Sequence, residues 1–177
     1  MSARYFLFAS SAILLGLLSL GGRAQAEWQS YRSERFGYRF LYPADLLKLV
    51  MEAPDGQSLE FQSDDGQTKL KVLTTFNTDN VSPAEYRAEI IRTLPGYGGI
   101  DYGPRGSSWF VLSGVRGSSI YYQKVLFACG GRIINAFALT YPSAEKREYD
   151  SIVTTIEKGF RSTSGPACDT AGRLTRD

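Results

Sequence analysis

From Phe36 to Tyr42 every second residue is aromatic: Phe36, Tyr38, Phe40 and Tyr42, with Pro43 ending the run. Strict period two with aromatic enrichment predicts a β-strand, because alternate side chains of a strand share one face. The proline cannot donate to a ladder, so it marks the strand's end. Trp28–Ser33 reads as a first strand ahead of it, and residues 44–49 after it as a short helical turn.

Downstream, Ser58–Gln62 and Lys69–Phe76 are strands joined by the turn Asp64-Asp65-Gly66-Gln67, whose glycine supplies a positive φ. Leu70, Val72 and Phe76 mark one face of the second. Ser82-Pro83-Ala84-Glu85 then announces a helix: Ser82 caps, Pro83 suits the first helical position, and Glu85 completes a capping box. Tyr86, Ile90 and Leu94 form its apolar stripe, and Pro95-Gly96 stop it. Residues 95–107 are glycine-rich and expected to loop. Residues 109–113, 119–127 and 132–141 follow as three consecutive antiparallel strands, expected at the sheet's centre because they are too apolar for an open edge. In a final helix Tyr149, Ile152, Val153, Ile156 and Phe160 trace one face, with Gly159 as terminator. Strands in runs, with few helices between, predict an α+β fold with a mainly antiparallel central sheet of about six or seven strands and two main helices. A parallel nucleotide-binding fold is excluded by that order.

Ahead of the domain stands a leader. Arg4 supplies a positive start, residues 5–20 are uncharged, and Ala24-Gln25-Ala26 presents small residues for cleavage between Ala26 and Glu27. About 16 uncharged residues make a helix of roughly 24 Å, too short for a hydrocarbon core of about 30 Å. The expectation is therefore a signal peptide over 1–26, a periplasmic or secreted product, and no stable membrane anchor after processing. Of the chain's 20 basic residues, Arg4 and Arg23 leave with the leader, so 18 remain against 18 acidic ones. A neutral chain without basic clusters predicts neither nucleic-acid nor lipid-headgroup partners. Residues 27–161 form a single α+β domain. From Ser162 the composition turns small and polar, predicting a flexible tail over 162–177.

Cys129 and Cys168 are the only cysteines. In an oxidising compartment they are expected to bridge, pinning the tail to the sheet; the alternative is two free thiols. The chain has no histidine, which removes Ser-His-Asp and Cys-His catalysis and most zinc sites. No catalytic, metal or cofactor residue is assigned.

The segment Trp28 through Tyr31, followed by Phe36-Gly37-Tyr38-Arg39-Phe40-Leu41-Tyr42-Pro43, resembles the opening of PsbP/Mog1-like domains. Trp109-Phe110-Val111-Leu112-Ser113-Gly114, the tyrosine-rich strand after it and the closing helix through Phe160 are also similar to that group. The resemblance spans most of residues 28–161 and is to exported bacterial members of unassigned function. It implies a central antiparallel sheet with helices on both faces, and adaptor, assembly or sensor roles without a general catalytic motif.

Three motifs compete with plainer explanations. The loop 95–106 has neither the G-x-G-x-x-G nor the G-x-x-x-x-G-K-[ST] spacing of a phosphate loop, so it reads as a surface or contact loop. Glu60, Asp64 and Asp65 lack calcium-loop spacing and belong to a turn. Asn80-Val81-Ser82 matches a glycosylation sequon, yet Ser82 is better used as the cap. Tyr121-Tyr122 must point to opposite faces, and with Tyr97, Tyr102 and Trp109 they are the candidate contact surface. The expectation is a non-enzymatic envelope protein, an adaptor or assembly factor, binding a protein partner or a small apolar ligand. The alternatives are a structural accessory subunit, or a hydrolase using two carboxylates.

Overall fold

A computed structural model of the chain describes residues 26–93 and 99–169. Most of the leader and Tyr97 lie outside the described residues. The elements run β1 (Trp28–Ser33), β2 (Tyr38–Pro43), β3 (Lys48–Glu52), β4 (Ser58–Gln62), β5 (Lys69–Phe76), α1 (Pro83–Thr93), β6 (Trp109–Arg116), β7 (Ser119–Ala128), β8 (Ile133–Pro142), α2 (Lys146–Gly159) and β9 (Arg161–Ser162). Six strands form one antiparallel sheet in the order β3-β4-β5-β8-β7-β6, and β1-β2-β9 form a second, smaller one. The fold is α+β, as the strand runs predict.

Period two in β8 divides the interior. Ile133, Phe137, Leu139 and Tyr141 enter one core, and Ile134 and Ala136 enter another on the opposite face. The larger core is closed by α2 through Tyr149, Val153, Ile156 and the adjoining Phe160, and by the small sheet through Tyr38 and Phe40. Rings meet edge-on there: Phe137 and Phe160 lie 5.1 Å apart, Phe40 and Phe61 5.8 Å. The buried side-chain amide of Asn135 accepts from Thr74 Oγ1 at 2.8 Å and donates to the Phe36 carbonyl at 3.4 Å, which offsets the cost of burying it. The smaller core gathers Phe110, Leu112, Tyr121, Val125 and Phe127 under α1, which contributes Ile90. The capping box starts α1 as expected: the Glu85 amide donates to Ser82 Oγ at 3.2 Å, and the Ser82 amide to the Glu85 carboxylate at 2.8 Å.

Four expectations give way or are refined, the Gly159 stop among the latter. Residues 48–52 are an edge strand where the sequence suggested the end of a helical turn; every residue of β3 is exposed and a bulge lies between Leu49 and Met51, so no alternation announces it. The run 109–142 does not fill the centre: β6 is an edge strand. Its apolar content is sheltered because residues 101–106 run along it, with Ser113 N donating to Tyr102 O at 2.9 Å and Val111 N to Pro104 O at 2.8 Å. Gly159 ends α2 without a left-handed backbone; a Cβ there would stand 3.0 Å from Leu41 N, so glycine lets α2 press on β2.

The fourth concerns the segment after α2. It is seated through residue 169: β9 pairs with β2, Thr163 N donates to Gly37 O at 2.7 Å, Ala167 N donates to Arg35 O at 3.0 Å, and Ala167 is buried. Gly37 makes this possible, with φ of 64° and a position where a Cβ would lie 2.4 Å from Thr163 O. Cys168, bonded to Cys129 with Cα atoms 5.2 Å apart, ties this strap to the turn between β7 and β8.

Candidate functional site

The parity of Tyr121 and Tyr122 is resolved by the two cores. Tyr121 is buried beneath α1, its hydroxyl donating to Gln123 Oε1. Tyr122 therefore points to the α2 side, where it is half-buried. There the flank of α2 and the β6–β7 hairpin leave a groove of about 490 Å³ lined by Tyr102, Tyr122, Tyr141, Lys146, Asp150 and Glu157. The rings climb from the core to the surface. Phe137 stacks on Tyr122 at 6.1 Å, and Tyr122 on Tyr102 at 6.5 Å. Tyr102 is 55% exposed, so the outermost ring is free to meet another molecule.

Charged groups frame this ladder. Lys124, a lone cation within an apolar strand, is 5% exposed; its ammonium reaches the Glu157 carboxylate at 2.6 Å and the Glu157 carbonyl at 2.9 Å. It also stands 5.9 Å from the Trp109 ring centroid. Lys146 and Asp150 form an ion pair one turn apart at 2.9 Å on the rim. Burial, with the Glu157 carboxylate next, pushes the Tyr122 phenol well above its usual range. Burial and Asp150 push Tyr141 up to about 12. Both are neutral near pH 7, so these phenols can stack and donate hydrogen bonds.

Of the five aromatic residues singled out in the sequence, Tyr102 and Tyr122 come together, Tyr121 is in the core, and Trp109 is half-buried against Lys124 and the loop at Gly106. Tyr141, Lys124 and Glu157 were missed. A single lysine amid Tyr121, Tyr122, Val125 and Phe127 was the available signal, since a buried cation needs a partner.

The carboxylates of the β4–β5 hairpin do not converge. Glu60 pairs across the strand with Lys71 at 3.1 Å, while Asp65 accepts from Ser63 Oγ and Gln67 N, which hold its carboxyl below the usual range. Among the described residues no three His, Cys, Asp or Glu side chains are grouped as a metal would need, and no helix is long and apolar enough to cross a membrane.

No family model and no curated protein sequence matches the chain. Solved structures do. Cyanobacterial PsbP (CyanoP) from Synechocystis superposes with a TM-score of 0.56 at 18% identity, covering 82% of this chain and 98% of that one. The Ran-binding protein Mog1p of Saccharomyces cerevisiae gives 0.54 at 9% identity, covering 81% and 99%. A point mutant of Mog1 gives 0.53 at 10%, covering 79% and 99%. The architecture of this chain is the PsbP/Mog1-like fold.

Proposed function

We propose that this chain is an exported, non-enzymatic binding protein of the cell envelope, acting as an adaptor or assembly factor, and that the groove beside α2 receives a protein segment. The carrying observation is the ladder Phe137–Tyr122–Tyr102, which runs from a rigid core to an exposed ring inside a concave, charge-rimmed surface. Tyrosine suits such a role because it offers large contact area and a polar tip at low entropic cost. The partner segment presents an apolar or aromatic side chain to Tyr102 and polar groups to Lys146 and Asp150. The fold is compatible with protein recognition, as the Ran-binding Mog1p illustrates. Export is supported by the leader pattern over 1–26 and by the Cys129–Cys168 bond.

The test is affinity capture from native envelopes with the wild-type chain and with Tyr102→Ser, a change at an exposed ring that leaves the core intact. We expect a discrete set of proteins with the wild type and its loss with the variant. Equal recovery by both removes the groove from the reading. Recovery of nothing by either, with no shift in melting across a metabolite and lipid panel, defeats the binding role itself.

A further inference from the structure

On the α1 side of the sheet, between the start of α1 and the β6 edge, lies a second cavity of about 520 Å³. Arg87, Arg105, Trp109, Ser82 and Ser107 line it, and among the described residues no carboxylate does. Five ion pairs occur among the described residues, and neither Arg87 nor Arg105 is in one. The two acids of α1 are engaged elsewhere, Glu85 in the capping box and Glu89 with Arg92, and Asp101 lines the tyrosine groove. Arg87 Nε is buried and lacks a hydrogen-bond acceptor among the described residues, and a buried donor left unpaired is uncommon and costly.

The wall holding these groups is built to be close-fitting. A Cβ on Gly103 would stand 2.9 Å from Arg87 Nη2, and one on Gly106 would stand 2.3 Å from Trp109 Nε1. The glycine-rich segment thus packs directly on the guanidinium and the indole while it pairs with β6. Two guanidinium forks, an indole and two hydroxyls line one cavity with no carboxylate among its described residues. That set matches an oxyanion with several acceptor oxygens better than a neutral ligand, because planar guanidiniums bind such groups through paired, charge-assisted bonds.

We propose that this cavity binds a phosphate group, carried either by a soluble metabolite or by a lipid headgroup. The site is separate from the tyrosine groove and does not depend on its role. The N-terminal amides of α1 are not its basis, since the capping box already uses two of them.

The full processed chain is titrated calorimetrically with pyrophosphate, and in parallel with vesicles containing phosphatidic acid against vesicles of neutral lipid. Saturable binding in either arm is expected, weakening as salt rises. Saturation by pyrophosphate assigns a soluble ligand; retention on phosphatidic acid vesicles alone assigns a headgroup. Arg105→Gln, at an exposed position, and Arg87→Gln are each expected to weaken binding roughly tenfold or more. Arg116→Gln, exposed at the end of β6, is expected to leave it unchanged. Circular dichroism verifies folding of each variant, and Arg105→Gln keeps the test valid if Arg87→Gln unfolds. No saturable binding in either arm overturns the proposal, as does binding that Arg105→Gln leaves intact or that Arg116→Gln weakens equally.

Discussion

The two faces of the six-stranded sheet are covered very differently. One is roofed along its length by α2, the small sheet and the strap, and its core is a continuous set of aromatic contacts from Tyr31 to Phe160. The other carries only α1, which shelters β6, β7 and β8 and leaves Leu73 on β5 exposed. Stability divides along this line. The thick face holds the domain together, and its tyrosine groove is an opening at the end of a rigid core. The thin face has a smaller core, a helix held by Ile90 and the partly buried Tyr86, and a charged cavity beside it. Rigidity favours a preformed contact surface, whereas a lightly held helix can adjust as a ligand enters.

The comparison breaks most readily by truncation. Phe160→Ala is expected to cost about 3–5 kcal/mol, since the ring is fully enclosed, while Ile90→Ala on the thin face costs about 2 kcal/mol. Urea unfolding of both variants measures the difference, and equal losses mean that the faces contribute alike. Replacing Cys129 and Cys168 together by serine comes next. The bond spans 39 residues of sequence, for which chain entropy gives roughly 4 kcal/mol and measured cases run about 2–4 kcal/mol. The smallest effect is alkaline. Tyr31 and Tyr141, both on the thick face, are pushed up to about 12, while an unfolded tyrosine titrates near 10. The folded state therefore retains those protons, so stabilisation is complete below about pH 10 and declines between about 10 and 12. Melting temperatures should fall across that window, and Tyr141→Phe should reduce the fall.

Much of this frame was legible because periodicity survives wherever one face of a strand is buried. The alternation 36–42, the β5 stripe and the α2 stripe all did so, and the capping box located α1 to the residue. What escaped had its cause outside its own segment. β3 is exposed on both sides and bulged, so its pattern carries no face. β6 looked interior because the loop that shields it is itself rich in glycine and proline, a composition that signals irregularity and hides pairing. The strap was read as a tail because small residues suit both solvent and a tight seat, and only Gly37 opposite Thr163 distinguishes the two. At the groove, Tyr121 and Tyr122 could be assigned to opposite faces from parity alone. Which of them was sealed depended on where α1 settled.

The strap has a temporal meaning. β2 lies between β1, among the first parts of the domain to be synthesised, and β9, among the last. Until the final residues arrive, one side of the early hairpin waits unpaired and open to wrong partners. Cys129 waits as well, because its mate follows 39 residues later. The bond therefore acts as a seal of completion. A chain interrupted before Cys168 leaves the Cys129 thiol at the turn after β7 without its bonding partner.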